Sequence, residues 1–454
     1  MNAKLPVTPL ASWIAAKIQA AGSRICQEEL RAYQLASLNS TLRWARQHSP
    51  FYRDRLAGLG GGNLLTSLDQ IASLPFTLPA DVREQGLQLL CVSQSEISRV
   101  VTLDTSGTTG QPKRIYFTRE DQELTIDFFR CGMSTLAGPG DRVLVLLPGE
   151  RPGSVGELLR MSLEQLGAEP VPYGLVDSLS AVLNLIKRER ITCLAGVPVQ
   201  AAALARYWEK NGGGWAPQRA LLSTDCVSDA VVRELKRIWG CEVFRHYGMT
   251  EMGLGGGIEC AAHAGYHLRE ADLYVEVIDP ATGLPLPDGE YGEVVFTTLT
   301  RRGMPLIRYR TGDISRFRPE PCPCGAGLRL LERIRSRCDG QLRLGGNGGL
   351  TMADLDEALL PLPGIADFSA VADNGSALLK LRLCLVLLEG FPVPAPALLR
   401  KALQQIPALQ RAEQAGQFDL AVEWISCRDV LPFRAEKRRL RMTGGGPPQQ
   451  LRAE

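Results

Sequence analysis

Residues 97–118, ISRVVTLDTSGTTGQPKRIYFT, constrain this chain more tightly than any other stretch. The centre, TSGTTGQPK, sets the hydroxyls of Thr105, Ser106, Thr108 and Thr109 and the ammonium of Lys113 within nine positions. Gly107 and Gly110 let the backbone turn tightly and aim successive N–H groups at one spot. A polyphosphate is the ligand that calls for so many donors so close together. Val100, Val101 and Leu103 before the centre read as a strand, and Ile115, Tyr116 and Phe117 after it as a second strand. A Walker loop spaces its glycines further apart and runs into a helix; neither holds here. The stretch therefore predicts a strand–loop–strand clamp on nucleotide phosphates. A plain polar turn would have no use for such a run of Ser, Thr, Thr and Lys.

The rest of the chain supplies the body for that clamp. Residues 1–96 read as mostly helical, broken at 58–62. Thr118 and Asp121 form a capping-box start for a helix to about residue 136. Strands are then expected at 143–147, 191–195, 220–223 and 243–247. Helices are expected at 155–166, closed by Gly167, at 179–188, at 199–209, and from Ser228 to Gly240. Such alternation means a parallel sheet covered by helices. From 273 to 318 the pattern changes to strands joined by turns, with Asp288-Gly289 a turn signal, and predicts a small antiparallel barrel. Beyond about residue 335 come a helix (353–360), strands (368–372, 378–388), a helix (396–405) and a strand (420–425). The fold class is thus α/β. It has a large N-terminal domain, 1–335, of helix-covered sheets with a small antiparallel barrel subdomain, 273–335. A small mobile α+β C-terminal domain, 336–442, and a disordered tail, 443–454, follow.

Further motifs follow the clamp in order. His246-Tyr247-Gly248-Met249-Thr250-Glu251 ends a predicted central strand, where open α/β sheets place ligands. Magnesium bridging phosphate oxygens takes only one or two protein carboxylates, and Glu251 is available for it. Asp313, after the Gly312 turn, is an acceptor-only carboxylate suited to taking two donors. Cys322-Pro323-Cys324 is a tight pair, and the segment 259–267 adds Cys260, His263 and His267. Four soft or borderline ligands suit tetrahedral zinc.

The clamp closely resembles the ATP-phosphate loop of the adenylate-forming (acyl-CoA synthetase) superfamily, and the later motifs fall in that superfamily's order. The segment 42–58, LRWARQHSPFYRDRLAG, followed by LPFT at 74–77, is similar to the entry of its phenylacetate–CoA ligase-like branch. The resemblance implies an AMP-forming carboxylate–CoA ligase acting on a carboxylic acid, an aryl acid included, with ATP, Mg2+ and coenzyme A. It implies that Ser106, Gly107, Thr108, Thr109, Gly110 and Lys113 hold phosphates. Tyr247 and Gly248 lie along the adenine, Thr250 bonds the α-phosphate and Glu251 holds magnesium. Asp313 and Arg337 hold the ribose, and Asp339 is the hinge. Lys437 bridges the reacting anions, since a cation between them relieves their repulsion. Cys260, His267, Cys322 and Cys324 would hold a structural Zn2+, with His263 as the spare ligand. This chain departs from the pattern at Ser336, Gly340 and Glu436. In the acid pocket it has 148–153, PGERPG, and 223–225, STD, where the branch has aromatic and GAE segments. Phe128, Phe129 and Met249 are the residues left to line an apolar slot, and Arg151 the one left to attract a polar group on the acid. Two other readings stay open: transfer of the acyl group to a carrier protein or amine, and a nucleotide-binding regulatory protein without catalysis.

Bulk properties exclude other classes. At 454 residues the chain needs more than one core. A net charge of +2 argues against nucleic acid as partner, and no apolar run reaches a membrane span. The apolar run at 10–16 is interrupted by Lys17 and continues at helical spacing, which predicts an amphipathic helix in place of a signal peptide. Twelve cysteines without an export signal imply reduced thiols and a cytoplasmic location. The resemblance leaves room for a homodimer.

Overall fold

The computed structural model describes residues 5–22, 25–58, 65–103, 112–338, 342–343, 349–373, 378–431 and 438–442. The expected alternation folds as a parallel sheet. Its strands lie side by side in the order Glu169–Pro172, Arg142–Leu146, Cys193–Gly196, Arg219–Leu222 and Glu242–Tyr247. Helices cover both faces, so the central strand Cys193–Gly196 is buried at every position. Two helices match expectation at both ends, Val155–Leu166 and Leu179–Arg188. Their ends carry unambiguous signals. Gly167 closes one helix in the left-handed region, and the Ser178 hydroxyl accepts the Ala181 amide at the start of the other. The edge strand Glu169–Pro172 was not expected. Pro170 and Pro172 remove ladder donors, a loss tolerated at an edge.

Past Tyr247 the same sheet continues antiparallel through Gly257–Glu259, Tyr266–Leu268 and Leu330–Leu331. The flanks of the clamp pair antiparallel, Ile97–Leu103 with Lys113–Thr118, and Leu103 faces Lys113. Thr118 and Asp121 cap the next helix, Arg119–Met133, reciprocally at 3.2 and 3.1 Å. That helix ends before the expected residue 136. The signal-like run is the helix Pro9–Ile18, whose Leu10, Trp13 and Ile14 are buried. Lys17 on the same helix bonds Asp272 at 3.0 Å. Among the described residues no helix is long and apolar enough to cross a membrane.

The expected antiparallel strands are Leu273–Ile278, Gly292–Thr298 and Tyr309–Ser315. Ser336–Arg337 joins them as a fourth strand, with Arg337 opposite Asp313. The barrel sheet therefore runs just past residue 335. The C-terminal unit is a sheet ordered Phe418–Cys427, Leu379–Leu388, Ile365–Asp373, Leu440–Met442. It carries the helices Met352–Leu359, Pro396–Leu403 and Pro407–Gln414. The unit rests on the large domain's helix Pro198–Lys210, whose buried Arg206 donates to the carbonyls of Ile365 and Leu360. The tail 443–454 lies outside the described residues.

One buried ion pair ties the N-terminal segment to the barrel. Arg308, 1% exposed, bonds both oxygens of Glu276 at 2.9 and 3.2 Å. It also donates to the carbonyls of Ala72 and Leu74. Arg308→Ala strands a buried carboxylate and should cost ~3–5 kcal/mol of unfolding free energy. Urea denaturation checks this, and a loss below about 1 kcal/mol would mean the carboxylate finds another partner.

Candidate active site

Glu242–Tyr247 ends at the carboxyl edge of the sheet, and the chain doubles back there at Gly248. A Cβ on Gly248 would lie 2.3 Å from the Leu254 carbonyl oxygen and 2.8 Å from the His246 ring. Only glycine permits that approach. The tight turn Thr250–Met252 follows and buries Glu251. Lys113, at the start of the second clamp strand, pairs its Nζ with Glu251 Oε1. The same Nζ lies 3.2 Å from the Tyr309 hydroxyl, which donates to Glu251 Oε1 at 3.0 Å. Burial pushes the Glu251 carboxyl up, but Lys113, then Tyr309, outweigh it and hold the group below the usual carboxylate range. Arg301 braces the arrangement. Its buried guanidinium donates to the carbonyls of Glu251 at 2.8 Å and Tyr116 at 2.9 Å, and lies over the Phe117 ring.

A second cluster adjoins the first. The Tyr247 hydroxyl donates to Asp313 Oδ2 at 3.0 Å, and Arg337 Nη1 donates to Asp313 Oδ1 at 2.8 Å. Arg337 also donates to the Thr311 carbonyl at 3.1 Å. Burial, then the Asp313 charge, pushes the Tyr247 phenol well above its ordinary range, so it stays a donor. Gly312, at a φ of 76°, keeps the space that the Arg337 guanidinium occupies.

Sequence reasoning missed three members of this centre: Tyr309, Arg301 and His246. The His246 Nδ1 lies 2.8 Å from the Ser223 hydroxyl, and its ring meets those of Phe128 and Phe129 at 6.3 and 6.1 Å. Burial, then Arg269, pulls its pKa down to about 4, so the ring is neutral at physiological pH. Phe128 and Phe129 are themselves core residues, packed with Trp13, and touch the site through His246. Met249 is partly buried against the barrel-side core, and Arg151 is exposed.

The four side chains singled out as metal ligands lie together. The ligand atoms of Cys260, His267, Cys322 and Cys324 all lie within 4.8 Å of one another, and all four residues are buried. Cys260 Sγ is 3.6 Å from Cys322 Sγ, and Cys324 Sγ is 3.4 Å from His267 Nε2. Three cysteines and one histidine, buried and converging, are a donor set that fits tetrahedral zinc. His263 is excluded as the spare ligand. It turns away at a φ of 48° and bonds Glu242 and Glu259 at 3.1 and 3.4 Å.

The structure thus brings together Lys113, Tyr247, Gly248, Thr250, Glu251, Asp313 and Arg337. Thr250 opens the Glu251 turn and is part-exposed. Ser106, Gly107, Thr108, Thr109, Gly110, Asp339 and Lys437 lie outside the described residues.

Comparison with known proteins follows the same line. Residues 95–299 match the family described as AMP-binding enzyme. A phenylacetate-coenzyme A ligase of Thermus thermophilus is 30% identical over 353 residues, covering 75% of this chain and 77% of its own. That of Escherichia coli is 29% identical over 329 residues, covering 70% and 74%. The crystal structure of 2-hydroxyisobutyryl-CoA ligase in the postadenylation state, in complex with 2-HIB-AMP, superposes with a TM-score of 0.75 at 22% identity. It covers 92% of this chain and 90% of that one, a likeness of fold.

The Lys113–Glu251 pair yields a pH test. Its carboxylate pKa is lowered on folding, so the pair's stabilisation is present above the ordinary value of 4.5 and is lost as pH falls through the lower folded value. Lys113→Met removes the largest opposition to burial, leaving only Tyr309 and the turn's own amide, and raises the Glu251 pKa. The deficit of the variant should be about 3 kcal/mol at pH near 7.5 and should shrink on acidification to about 5.5, as the carboxyl takes up a proton. Urea melts at the two pH values check this; a deficit that grows on acidification refutes it.

Proposed function

The chain belongs to the phenylacetate–coenzyme A ligase branch of the AMP-binding enzymes, and on that premise we propose how its residues join a carboxylic acid to coenzyme A. In the first half-reaction a carboxylate oxygen attacks the α-phosphorus of ATP. The bond to the β-phosphate breaks, pyrophosphate leaves, and an acyl-adenylate remains. In the second, the thiol of coenzyme A attacks the acyl carbon, gives up its proton, and AMP leaves with the bonding pair. The observation that carries the site assignment is the convergence of Lys113, Glu251, Tyr247, Asp313 and Arg337 at one sheet edge beside the phosphate clamp.

Ser106, Thr108 and Thr109, with the amides of Gly107 and Gly110, cradle the phosphates, and Lys113 adds its charge. Glu251, ionised within its burial, is the carboxylate that would hold Mg2+; the ion would offset phosphate charge. Asp313 turns its acceptor oxygens to the ribose hydroxyls, with Arg337 keeping it oriented. The Tyr247 ring lies along the adenine, and Thr250 bonds the α-phosphate. Lys437 sits between the two reacting anions and stabilises the charge that gathers in the transition state. The C-terminal unit, 336–442, then turns about Asp339 and withdraws Lys437 so that the thiol can approach. Such rigid-body steps can limit turnover. Cys260, His267, Cys322 and Cys324 would hold Zn2+ with no open position for water, a structural role. Nine of the twelve cysteines lie outside the proposed metal set and none is in a disulfide, which supports a cytoplasmic, reducing setting.

Three measurements test this reading. An acid panel read by coenzyme A-dependent AMP formation should yield at least one aryl or alkyl acid with turnover; no AMP from any acid would refute the ligase. Lys437→Ala should lower acid-dependent pyrophosphate release by roughly a hundredfold or more, the scale of a lost transition-state charge contact. The same variant should still form thioester from supplied acyl-adenylate; equal loss of both steps removes the assigned role. Metal analysis should find zinc at one equivalent, lost in Cys324→Ser along with thermal stability.

A further inference from the structure

Besides the Arg206 contacts and a shared apolar core, the C-terminal unit reaches the large domain through two carboxylates, each seated on the start of a different helix. Asp429, just after the strand Phe418–Cys427, accepts the Ser180 amide at 2.7 Å through Oδ1. Its Oδ2 accepts the hydroxyls of Ser178 and Ser180 at 2.7 and 3.0 Å, and its carbonyl accepts the Leu179 amide at 3.0 Å. Glu357, on the helix Met352–Leu359, accepts the Ala230 amide at 3.2 and 3.1 Å through its two oxygens. It also takes the Asp229 amide and pairs with Arg233 at 3.0 Å.

The acceptors' positions in the fold give these bonds their meaning. The helices Leu179–Arg188 and Asp229–Trp239 follow the strands Glu169–Pro172 and Arg219–Leu222 in chain order. Both helices therefore start at the carboxyl edge of the sheet, the edge that carries Tyr247 and Glu251. First-turn amides are orphan donors at the positive end of the helix dipole, and a carboxylate suits them. Neither helix depends on its partner carboxylate for a local cap. Ser178 already accepts the Ala181 amide at 3.2 Å, and Ser228 the Val231 amide at 3.3 Å. The carboxylates take the remaining donors, which water can satisfy whenever the two units part. These two contacts are thus directional, and breaking them strands no donor.

We propose that Asp429 and Glu357 are positioning residues for the adenylate-forming step: together they seat the C-terminal unit on the active-site edge and release it for the thioester step. The assignment rests on the two-step ligase reading. It takes no part of the chemistry itself, since neither carboxylate touches a reacting group.

Hydrogen exchange of the full-length protein tests the seat without any substrate. Asp429→Ala should speed exchange at its own site, 178–181, and also at 229–231, by roughly threefold to tenfold, the scale of a lost helix cap. Glu357→Ala should do the same at both sites. Exchange in the strand Cys193–Gly196 should match the unaltered chain and thereby certify the fold. Asp429→Asn, which keeps an acceptor oxygen, should recover part of the protection. Faster exchange only at the mutated site overturns the proposal, because each carboxylate would then be a local cap. Phenylacetate and ATP serve the activity arm. Asp429→Ala should lower the kcat of pyrophosphate release, leave the KM for ATP unchanged, and keep or raise thioester formation from supplied phenylacetyl-adenylate. An equal fall in both half-reactions overturns it as well. Absence of turnover by the unaltered chain with every acid is a failure of the ligase reading, and the exchange arm then decides the seat alone.

Discussion

The ion pair between Lys113 and Glu251 closes the large domain on itself. The two residues are 138 positions apart, and each comes from a segment that packs poorly alone. One belongs to a two-stranded hairpin, the other to a tight turn after the last parallel strand. A hairpin of two strands is marginal without support. Here the support is apolar as well as electrostatic: Ile115, Tyr116 and Phe117 pack into the barrel-side core, and the ion pair is buried, so partner removal is costly while the pair itself adds little net stability. What such a pair supplies is geometry: an ammonium and a carboxylate held at fixed places at the carboxyl edge of the sheet. Tyr309 and Arg301 complete the bracing from the barrel side, by side chain and by main-chain carbonyls respectively. Three segments remote in the chain converge through hydrogen bonds laid over a shared apolar core.

Much of this was legible in the residues, for local reasons. Helix ends were readable wherever a serine or a glycine marked them, as at Ser178, Gly167, Ser228 and Gly240. The carboxylates and thiols were readable because their chemistry is narrow. Asp313 stands on a glycine turn, and Cys322 and Cys324 form a tight pair of soft ligands. The tyrosine before Gly248 was readable as part of a strand end. Its hydrogen bond to Asp313, which joins the sheet to the barrel, was not.

The missed features share a cause. Arg301, Tyr309 and His246 act through partners far off in sequence, and nothing in their neighbours announces the partner. An arginine in an Arg-Arg-Gly run reads as a solvated loop until the fold buries it between two carbonyls. The edge strand Glu169–Pro172 was hidden by its prolines, which argue against a strand everywhere except at a sheet edge. His263 misled for the opposite reason. It has the right residue type at a plausible spacing, but a left-handed backbone turns it toward Glu242 and Glu259. Spacing selects candidates for a ligand set; backbone direction selects the members.

The cysteine–histidine nest lies where the strands of the sheet are shortest. After Glu251 the sheet continues only through three strands of three, three and two residues, Gly257–Glu259, Tyr266–Leu268 and Leu330–Leu331. Strands that short contribute few ladder bonds, and strand formation there cannot be local. The four ligands sit on the loops and strands of this patch and tie residues 260–267 to residues 322–324. A bound tetrahedral ion would close that loop and restrict the unfolded chain there. The Glu251 turn leads directly into the first of these strands, so the stability of the nest sets how firmly that turn is held from behind. Lys113, Tyr309 and Arg301 hold the turn from the front. A carboxylate gripped from both sides can keep one ionisation state and one position through a reaction that changes the charge around it.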